Sequence, residues 1–333
     1  MPESKIPTIG SRTELAPTIK TFLKDHPDLH LGGEEDFHEE RRKHLEVFGI
    51  HSIPKEKVHP IGEVEFTALR GPHGTIPVRV FHPKSGEDRR KKGEAGALIY
   101  FHGGGYTVGS VDEFENGLRL IAEESECQVY GIDYRLAPEF RFPTQLDEYS
   151  ALIDWLQGEG GKAQGIHPER VAGGGDSAGG NMTAAITLRH KDENKKPLAA
   201  QILLYPEARL PFDTKAASEH NSGYYLECNG IFSFADHCLP RGTPPSHRYI
   251  SPGMQPVDQL GGLPPAGIYT CGFDPLRDVG IEYAHKTESA GNHVAWRHYD
   301  SFTHGFLQMT AWSDDATKAV KEVASDLKKF MYG

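Results

Sequence analysis

Serine, histidine and carboxylate side chains stand in this sequence where they could together make a hydrolytic nucleophile. A serine hydroxyl attacks a carbonyl only when a base takes its proton and a third group orients that base. Gly175-Asp176-Ser177-Ala178-Gly179 fits G-x-S-x-G, and no other stretch of the 333 residues does. An extended-looking run, 170–174, precedes it. A helix-like segment, 181–190, follows, with Met182, Ile186 and Leu188 as its apolar positions. A serine on so sharp a strand-to-helix turn is held in a strained backbone conformation with its oxygen pushed outward. Glycines flank it because a Cβ there would strike the incoming strand or the departing helix.

On an α/β sheet the acid and the base are expected downstream, acid first. Asp274 and Asp278 follow the strand-like run 266–271. His304 follows the run 294–299, inside Ser301-Phe302-Thr303-His304-Gly305-Phe306. Both places are loops at carboxyl ends of strands, the rim where open α/β sheets bind ligands. Asp274 is nearer its strand and precedes Pro275, which favours an extended backbone. Asp278 falls in the first turn of the next helix, where its charge suits the helix dipole. Of 18 histidines, His298 lies in a strand, His285 in a helix and His293 in the link between them. His304 alone follows the last strand in a glycine-containing loop.

The developing oxyanion needs donors. Phe101-His102-Gly103-Gly104-Gly105-Tyr106 follows the apolar run 97–101. Consecutive glycines let the N–H groups of Gly103, Gly104 and Gly105 face a substrate without side chains in the way. The N–H of Ala178, next to the nucleophile, is a further donor. Tyr106 and Tyr205 are candidates for lining the substrate pocket; core packing is their other reading.

These residues need a scaffold. Wholly apolar or short extended runs at 97–101, 128–134, 170–174, 201–205, 266–271 and 294–299 alternate with helical stretches, among them 142–156 and 277–290. The last helix carries Val320, Val323, Leu327 and Phe330 along one stripe. Such alternation predicts a mostly parallel, doubly wound sheet. A period-two pattern at 63–83 about Gly71-Pro72-His73-Gly74 predicts an antiparallel hairpin, and 85–96 reads as a charged loop. Residues 1–55 read as polar helices, with Leu15, Ile19 and Phe22 at helical spacing. The charged helix over 34–48, with Phe37, Leu45, Val47 and Phe48, is expected to lie over something rather than inside the core. Residues 207–259, rich in Pro, Gly, Tyr and His, are too long for an ordinary loop and read as an insertion over the site.

Composition bounds the partners. There are 36 Lys and Arg against 47 Asp and Glu, a net charge of −11, which argues against nucleic acid and anionic membranes. No run approaches the roughly 18 apolar residues needed to cross a bilayer. Met1-Pro2-Glu3-Ser4-Lys5 leads into no apolar leader. Cys127, Cys228, Cys238 and Cys271 are read as free thiols, with Cys228 and Cys238 pairing only in an exported chain, so a cytoplasmic location is expected.

Taken together, His102-Gly103-Gly104-Gly105, the run Asp133-Tyr134-Arg135-Leu136-Ala137-Pro138-Glu139, Gly175-Asp176-Ser177-Ala178-Gly179-Gly180-Asn181, Asp274-Pro275-Leu276-Arg277-Asp278 and His304-Gly305-Phe306 resemble the hormone-sensitive-lipase family of α/β-hydrolase esterases, in its GDSAG branch. The resemblance covers about residues 97–307. It implies the α/β-hydrolase fold: a mostly parallel central sheet flanked by helices, with a helical cap. It implies a carboxylesterase with Ser177, Asp274 and His304 as triad, and an oxyanion hole of two glycines of the 103–105 triplet with Ala178. It also implies a cap made of residues 1–55 and 207–259 on a core of 56–206 and 260–333. Val279 stands where the family often has Glu, a structural position. The 133–139 run is read as a structural corner near the site.

Other patterns carry less. Gly173, Gly175 and Ala178 fit the dinucleotide fingerprint, but several strands precede this one and the serine competes for the turn. Ser325-Asp326-Leu327-Lys328 lies within the last helix without its companion motifs. His26 and His30 have metal-like spacing in polar surroundings. No metal or cofactor is expected, and the partner is a small-molecule ester. A homodimer is left open, as are an amidase or formamidase on this scaffold and a non-catalytic receptor like the gibberellin receptors, which lack the triad histidine that His304 supplies here.

Overall fold

Apolar and alternating runs separate cleanly in space. In the computed structural model, which describes residues 4–32, 36–220 and 222–333, the period-two segment is a hairpin of β1 (Glu63–Gly71) and β2 (Gly74–His82). The apolar runs form β3 (Ala95–Phe101), β4 (Gln128–Ile132), β5 (Ile166–Asp176), β6 (Gln201–Leu204), β7 (Ala266–Phe273) and β8 (Val294–Thr303). One sheet results, in the order β1-β2-β4-β3-β5-β6-β7-β8. The hairpin and its junction with β4 are antiparallel, and every pairing from β4 to β8 is parallel. All residues of β3, β4, β6 and β7 are buried, as strands covered on both faces must be.

Helices cover both faces. They are α1 (Pro17–Asp25), α2 (Phe37–Phe48), α3 (Glu87–Lys91), α4 (Val111–Ser125), α5 (Thr144–Leu156), α6 (Glu159–Ala163), α7 (Ala178–Asp192), α8 (Lys215–Glu219), α9 (Cys228–Cys238), α10 (Arg277–Ser289) and α11 (Asp314–Tyr332). Alternation along β3 divides the core. Leu98 and Tyr100 pack with Leu118 of α4 and Val320 of α11. Ala97, Ile99 and Phe101 face the other way, toward Leu152 of α5 and Met182 of α7. α10 joins a third cluster through Ile281, with Ile268 of β7.

Several expectations change. Residues 87–91 of the expected charged loop form α3. On α11 the buried stripe is Val320, Val323, Leu327 and Met331, while Phe330 is only partly covered. α2 lies over the core as expected, yet its last residue, Phe48, is fully buried against Phe22 and Tyr225. Residues 1–3, 33–35 and 221 of the N-terminal and inserted segments lie outside the described residues. Those two segments touch: Leu31 pairs with Leu226 in a short parallel bridge. Arg41 of α2 reaches Thr107 O at 2.7 Å and Glu139 at 2.8 Å. Cys228 and Cys238 begin and end α9, so about 15 Å of helix separates them, and all four cysteines are buried and unpaired. Among the described residues no helix is long and apolar enough to cross a membrane.

Candidate active site

Ser177 sits on the turn from β5 into α7, with φ +52° and ψ −118°, a combination L-residues avoid. Its N–H donates to Leu204 O at 2.8 Å, while its carbonyl accepts from Asn181 N and Glu207 N. The chain crosses itself so closely here that only glycine fits: a Cβ on Gly175 or Gly179 would run into Phe101 O. Strand register explains the crowding, because Phe101 of β3 lies opposite Gly175 of β5.

The same register sets the glycine loop beside the serine. Asp176, buried, accepts at one oxygen from Gly103 N at 2.8 Å and Tyr100 Oη at 2.7 Å. Gly103 is therefore corrected as an oxyanion donor: its N–H is already spent on a carboxylate. Among the described residues, nothing accepts from the N–H groups of Gly104 and Gly105, at φ +100° and +57°, or from that of Ala178. Burial pushes the Asp176 carboxyl up to about 6, against the lowering effect of the two donors. Around the loop, Tyr134 Oη donates to His102 O at 2.9 Å, and the Asp133 carboxylate accepts from Val111 N at 2.8 Å. Arg135 pairs with the buried Glu148. The 133–139 run is a corner bonded outward to its neighbours rather than to itself, and it anchors α2 through Ala137 O and Glu139.

Asp274 and His304 come together through β7 and β8. The register sets Phe273 against Thr303, so the next residue of each strand meets the other. His304 Nδ1 lies 2.9 Å from Asp274 Oδ2, both residues being about 1 % exposed or less. The second carboxylate oxygen accepts from Leu276 N at 2.8 Å. Since a carboxylate only accepts, the imidazole carries its proton on Nδ1 and turns a lone pair out on Nε2. Among the described residues that Nε2 is buried without a hydrogen-bond partner, and no bond joins it to Ser177 Oγ. A catalytic hydrogen bond is commonly long in an unliganded site and closes with substrate.

Asp278 is elsewhere occupied. Its carboxylate accepts from Gly10 N at 3.0 Å, from Ala216 N at 2.9 Å and from the buried Arg277 at 2.8 Å. It ties the N-terminal and inserted segments to α10. Of the two tyrosines, Tyr205 packs its ring on His304 at 4.6 Å and on Phe306 at 5.1 Å. Tyr106 lines a cavity of about 20 Å³ with Leu146, Asn181, Met182, Cys238 and Ile250, room for about one water. Phe234 of α9 covers the glycine loop, where a Cβ on Gly105 would strike it. Sequence reasoning gave no part to Asp176, Asn181 or Glu207. For the first two the signal was present inside the elbow motif; for Glu207 it was a charge directly after an apolar strand. Among the described residues no three His, Cys, Asp or Glu side chains are grouped to hold a metal ion.

The chain matches known proteins over this framework. A family model described as alpha/beta hydrolase fold matches residues 98–308. The carboxylic ester hydrolase LipN of Mycobacterium tuberculosis is 33% identical over 292 residues, 86% of this chain and 75% of LipN. An ethyl acetate hydrolase of Pseudomonas putida is 31% identical over 300 residues, 88% of this chain and 90% of its own. In structure, a hyperthermophilic esterase of Pyrobaculum calidifontis superposes with a TM-score of 0.86 at 28% identity, covering 95% of this chain and 99% of that one.

Proposed function

We propose that this chain, which belongs to the α/β-hydrolase family in its hormone-sensitive-lipase branch, is a serine carboxylesterase acting on short- to medium-chain esters through an acyl-enzyme. Ser177 Oγ attacks the ester carbonyl while His304 Nε2 takes its proton. Asp274 holds the Nδ1–H tautomer and stabilises the imidazolium that forms. The N–H groups of Gly104, Gly105 and Ala178 receive the oxyanion. His304 then returns its proton to the departing alcohol, and the acyl-enzyme is hydrolysed by a water that His304 activates.

One observation carries this reading: a buried imidazole whose Nδ1 is fixed by a carboxylate and whose Nε2 has no partner. A buried polar atom left unpaired costs free energy, and proton transfer from a hydroxyl is the use that repays it. The free N–H groups of the glycine loop support the same chemistry. Residues 1–55 and 207–259 act together as the cap over the site, a reading supported by the Leu31–Leu226 bridge and by Phe234 over Gly105. The cavity beside Tyr106 has room for about one water in the unliganded chain, which speaks against long acyl groups. Four buried, unpaired cysteines suit a reducing cytoplasm.

The test is hydrolysis of p-nitrophenyl acetate, butyrate and octanoate beside a matching anilide. Ester cleavage that falls by on the order of 10⁴- to 10⁶-fold in Ser177→Ala, with an unchanged melting temperature, is expected. Cleavage of the anilide alone would make the chain an amidase, and binding without turnover a receptor. A Ser177→Ala variant that kept a substantial fraction of the activity would end the assignment.

A further inference from the structure

Glu207 follows Tyr205 and Pro206 at the end of β6 and is 5% exposed. Its backbone is pinned to the nucleophile turn: its N–H donates to Ser177 O at 3.2 Å, and its carbonyl accepts from Asn181 Nδ2 at 2.6 Å. Its carboxyl is different. Among the described residues no hydrogen bond or ion pair reaches it, whereas the other buried carboxyls all have partners. Asp176 holds Tyr100 and Gly103, Asp274 holds His304, and Asp278 holds Arg277. Glu113 accepts from Ser110, Glu148 pairs with Arg135, and Asp326 pairs with Arg297. Burial alone pushes the Glu207 carboxyl up to about 8, so at neutral pH it is mostly a neutral acid. Its charge, when present, is felt by the Tyr106 phenol and the Cys238 thiol, both of which line the small cavity.

Its oxygens are not among the fully covered unpaired atoms, so this partnerless carboxyl beside the nucleophile turn opens onto space that a ligand group can enter. A neutral carboxyl offers one donor and one acceptor, the complement of a hydroxyl. An ammonium group would require the acid to ionise beside a cavity walled by Leu146, Met182 and Ile250, with both charges desolvated. A purely apolar chain would leave the acid unpaired.

We propose that Glu207 is a specificity-determining residue of the ester site, receiving a neutral hydroxyl group carried by the substrate. The proposal rests on the esterase reading. It makes the preferred substrates hydroxylated esters, the hydroxyl borne by either the acyl or the alcohol part, over apolar esters of the same length.

Two matched pairs test it: p-nitrophenyl 6-hydroxyhexanoate against the hexanoate, and 2-hydroxyethyl butyrate against propyl butyrate. In one pair the parent chain is expected to favour the hydroxylated ester at least about tenfold in kcat/KM, because a site built to bond a hydroxyl rejects the analogue lacking it. The pair that discriminates identifies the part of the ester that faces Glu207. Glu207→Met should bring the ratio to within about threefold of unity, and Glu207→Gln, which keeps a donor and an acceptor, should retain most of it. The proposal is overturned by absence of preference in the parent, by a preference that survives in Glu207→Met, or by a stronger preference for p-nitrophenyl 6-aminohexanoate. Should Glu207→Met fail to fold, the parent's own ratios still decide. If no ester is cleaved at all, the esterase reading falls and this proposal with it; if all are cleaved without discrimination, only this proposal falls.

Discussion

Replacing Gly104 by alanine tests the glycine loop more sharply than any change to the triad. Gly104 has φ +100°, and a Cβ there would overlap Val108 O and stand 2.7 Å from the carbonyl carbon. Reaching an ordinary 3.4 Å contact with that carbon takes about 0.7 Å of movement, and clearing the nearer oxygen takes more. Little nearby can yield. Val108 N and Thr107 N both donate to Gly104 O, closing the turn, and Gly103 N is held by Asp176. The displacement therefore falls on the N–H groups of Gly104 and Gly105. Losing one oxyanion donor costs about 10²- to 10³-fold in kcat, or ~3–4 kcal/mol of transition-state stabilisation, and a misplacement near 1 Å costs about as much. KM should move less than about threefold, because the ground-state carbonyl makes little use of the hole. Backbone strain adds roughly 1–3 kcal/mol of lost stability. Gly93→Ala is the control: φ is +70°, with nothing within 4 Å of the new Cβ. It should lower the melting temperature and leave kcat alone. Turnover of p-nitrophenyl butyrate and thermal melts of both variants settle the matter. If Gly104→Ala keeps kcat within about threefold while melting like Gly93→Ala, the loop does not bind the oxyanion.

Three further outcomes follow from the same geometry. Asp274→Asn replaces the acceptor on His304 Nδ1 with a group that also donates, favouring the wrong tautomer; kcat should fall by about 10⁴ with the fold intact, read by turnover beside circular dichroism. Arg277→Met strands the buried Asp278 carboxylate and removes the guanidinium contact to Glu219 at 3.0 Å. It should cost about 3–5 kcal/mol in urea unfolding and open residues 207–259 to limited proteolysis; protection equal to the parent's would refute the tie. Burial raises Glu113 from 4.5 to about 8, so across that interval the folded chain keeps a proton the unfolded chain has lost. Its contribution to stability is full below 4.5 and lost as pH rises toward 8. Between pH 6.5 and 8, above the range where buried histidines oppose the trend, melting temperature should fall with pH in the parent and fall less in Glu113→Gln. Equal slopes would count against the raised value.

The proposed nucleophile, acid and base were legible because each is marked by a local rule. Glycines flank a strained turn at Ser177, and Asp274 and His304 each stand in a loop closing a strand. Their meeting depends on register, which the sequence states only indirectly: the end of β8 was read at 299, yet the strand runs to Thr303 and pairs with Phe273 there. Val294 to Ser301 are only half-buried, as suits the sheet's edge, so no sustained apolar run marked the strand's full length. β5 was likewise cut short, since His167 to Arg170 are half-buried or exposed before the buried half begins. Gly103 was read as an oxyanion donor because a glycine triplet looks symmetrical in sequence. What breaks the symmetry is a carboxylate 73 residues away in the chain. Glu207 could not be read from spacing at all, because an unpaired buried acid is defined by the absence of neighbours, and only the folded chain supplies or withholds those.

Asp176 shows why the elbow and the glycine loop should behave as one rigid unit rather than as two adjacent pieces. It lies between Gly175 and Ser177, so its backbone is fixed by β5 pairing with β6 opposite Leu204. Its carboxylate accepts from Gly103, so the loop's first residue is fixed to the same point, and Tyr100 Oη of β3 closes the arrangement from below. A Cβ on Gly103 would collide with that carboxylate, which means the loop is seated on it with no space between. Burying an acid this deeply is unfavourable, and its upward shift to about 6 measures the resistance. What is gained is position: the proposed oxyanion donors and the proposed attacking oxygen are referenced to one atom group. Preorganisation of this sort lowers the barrier because nothing needs to reorient as charge develops.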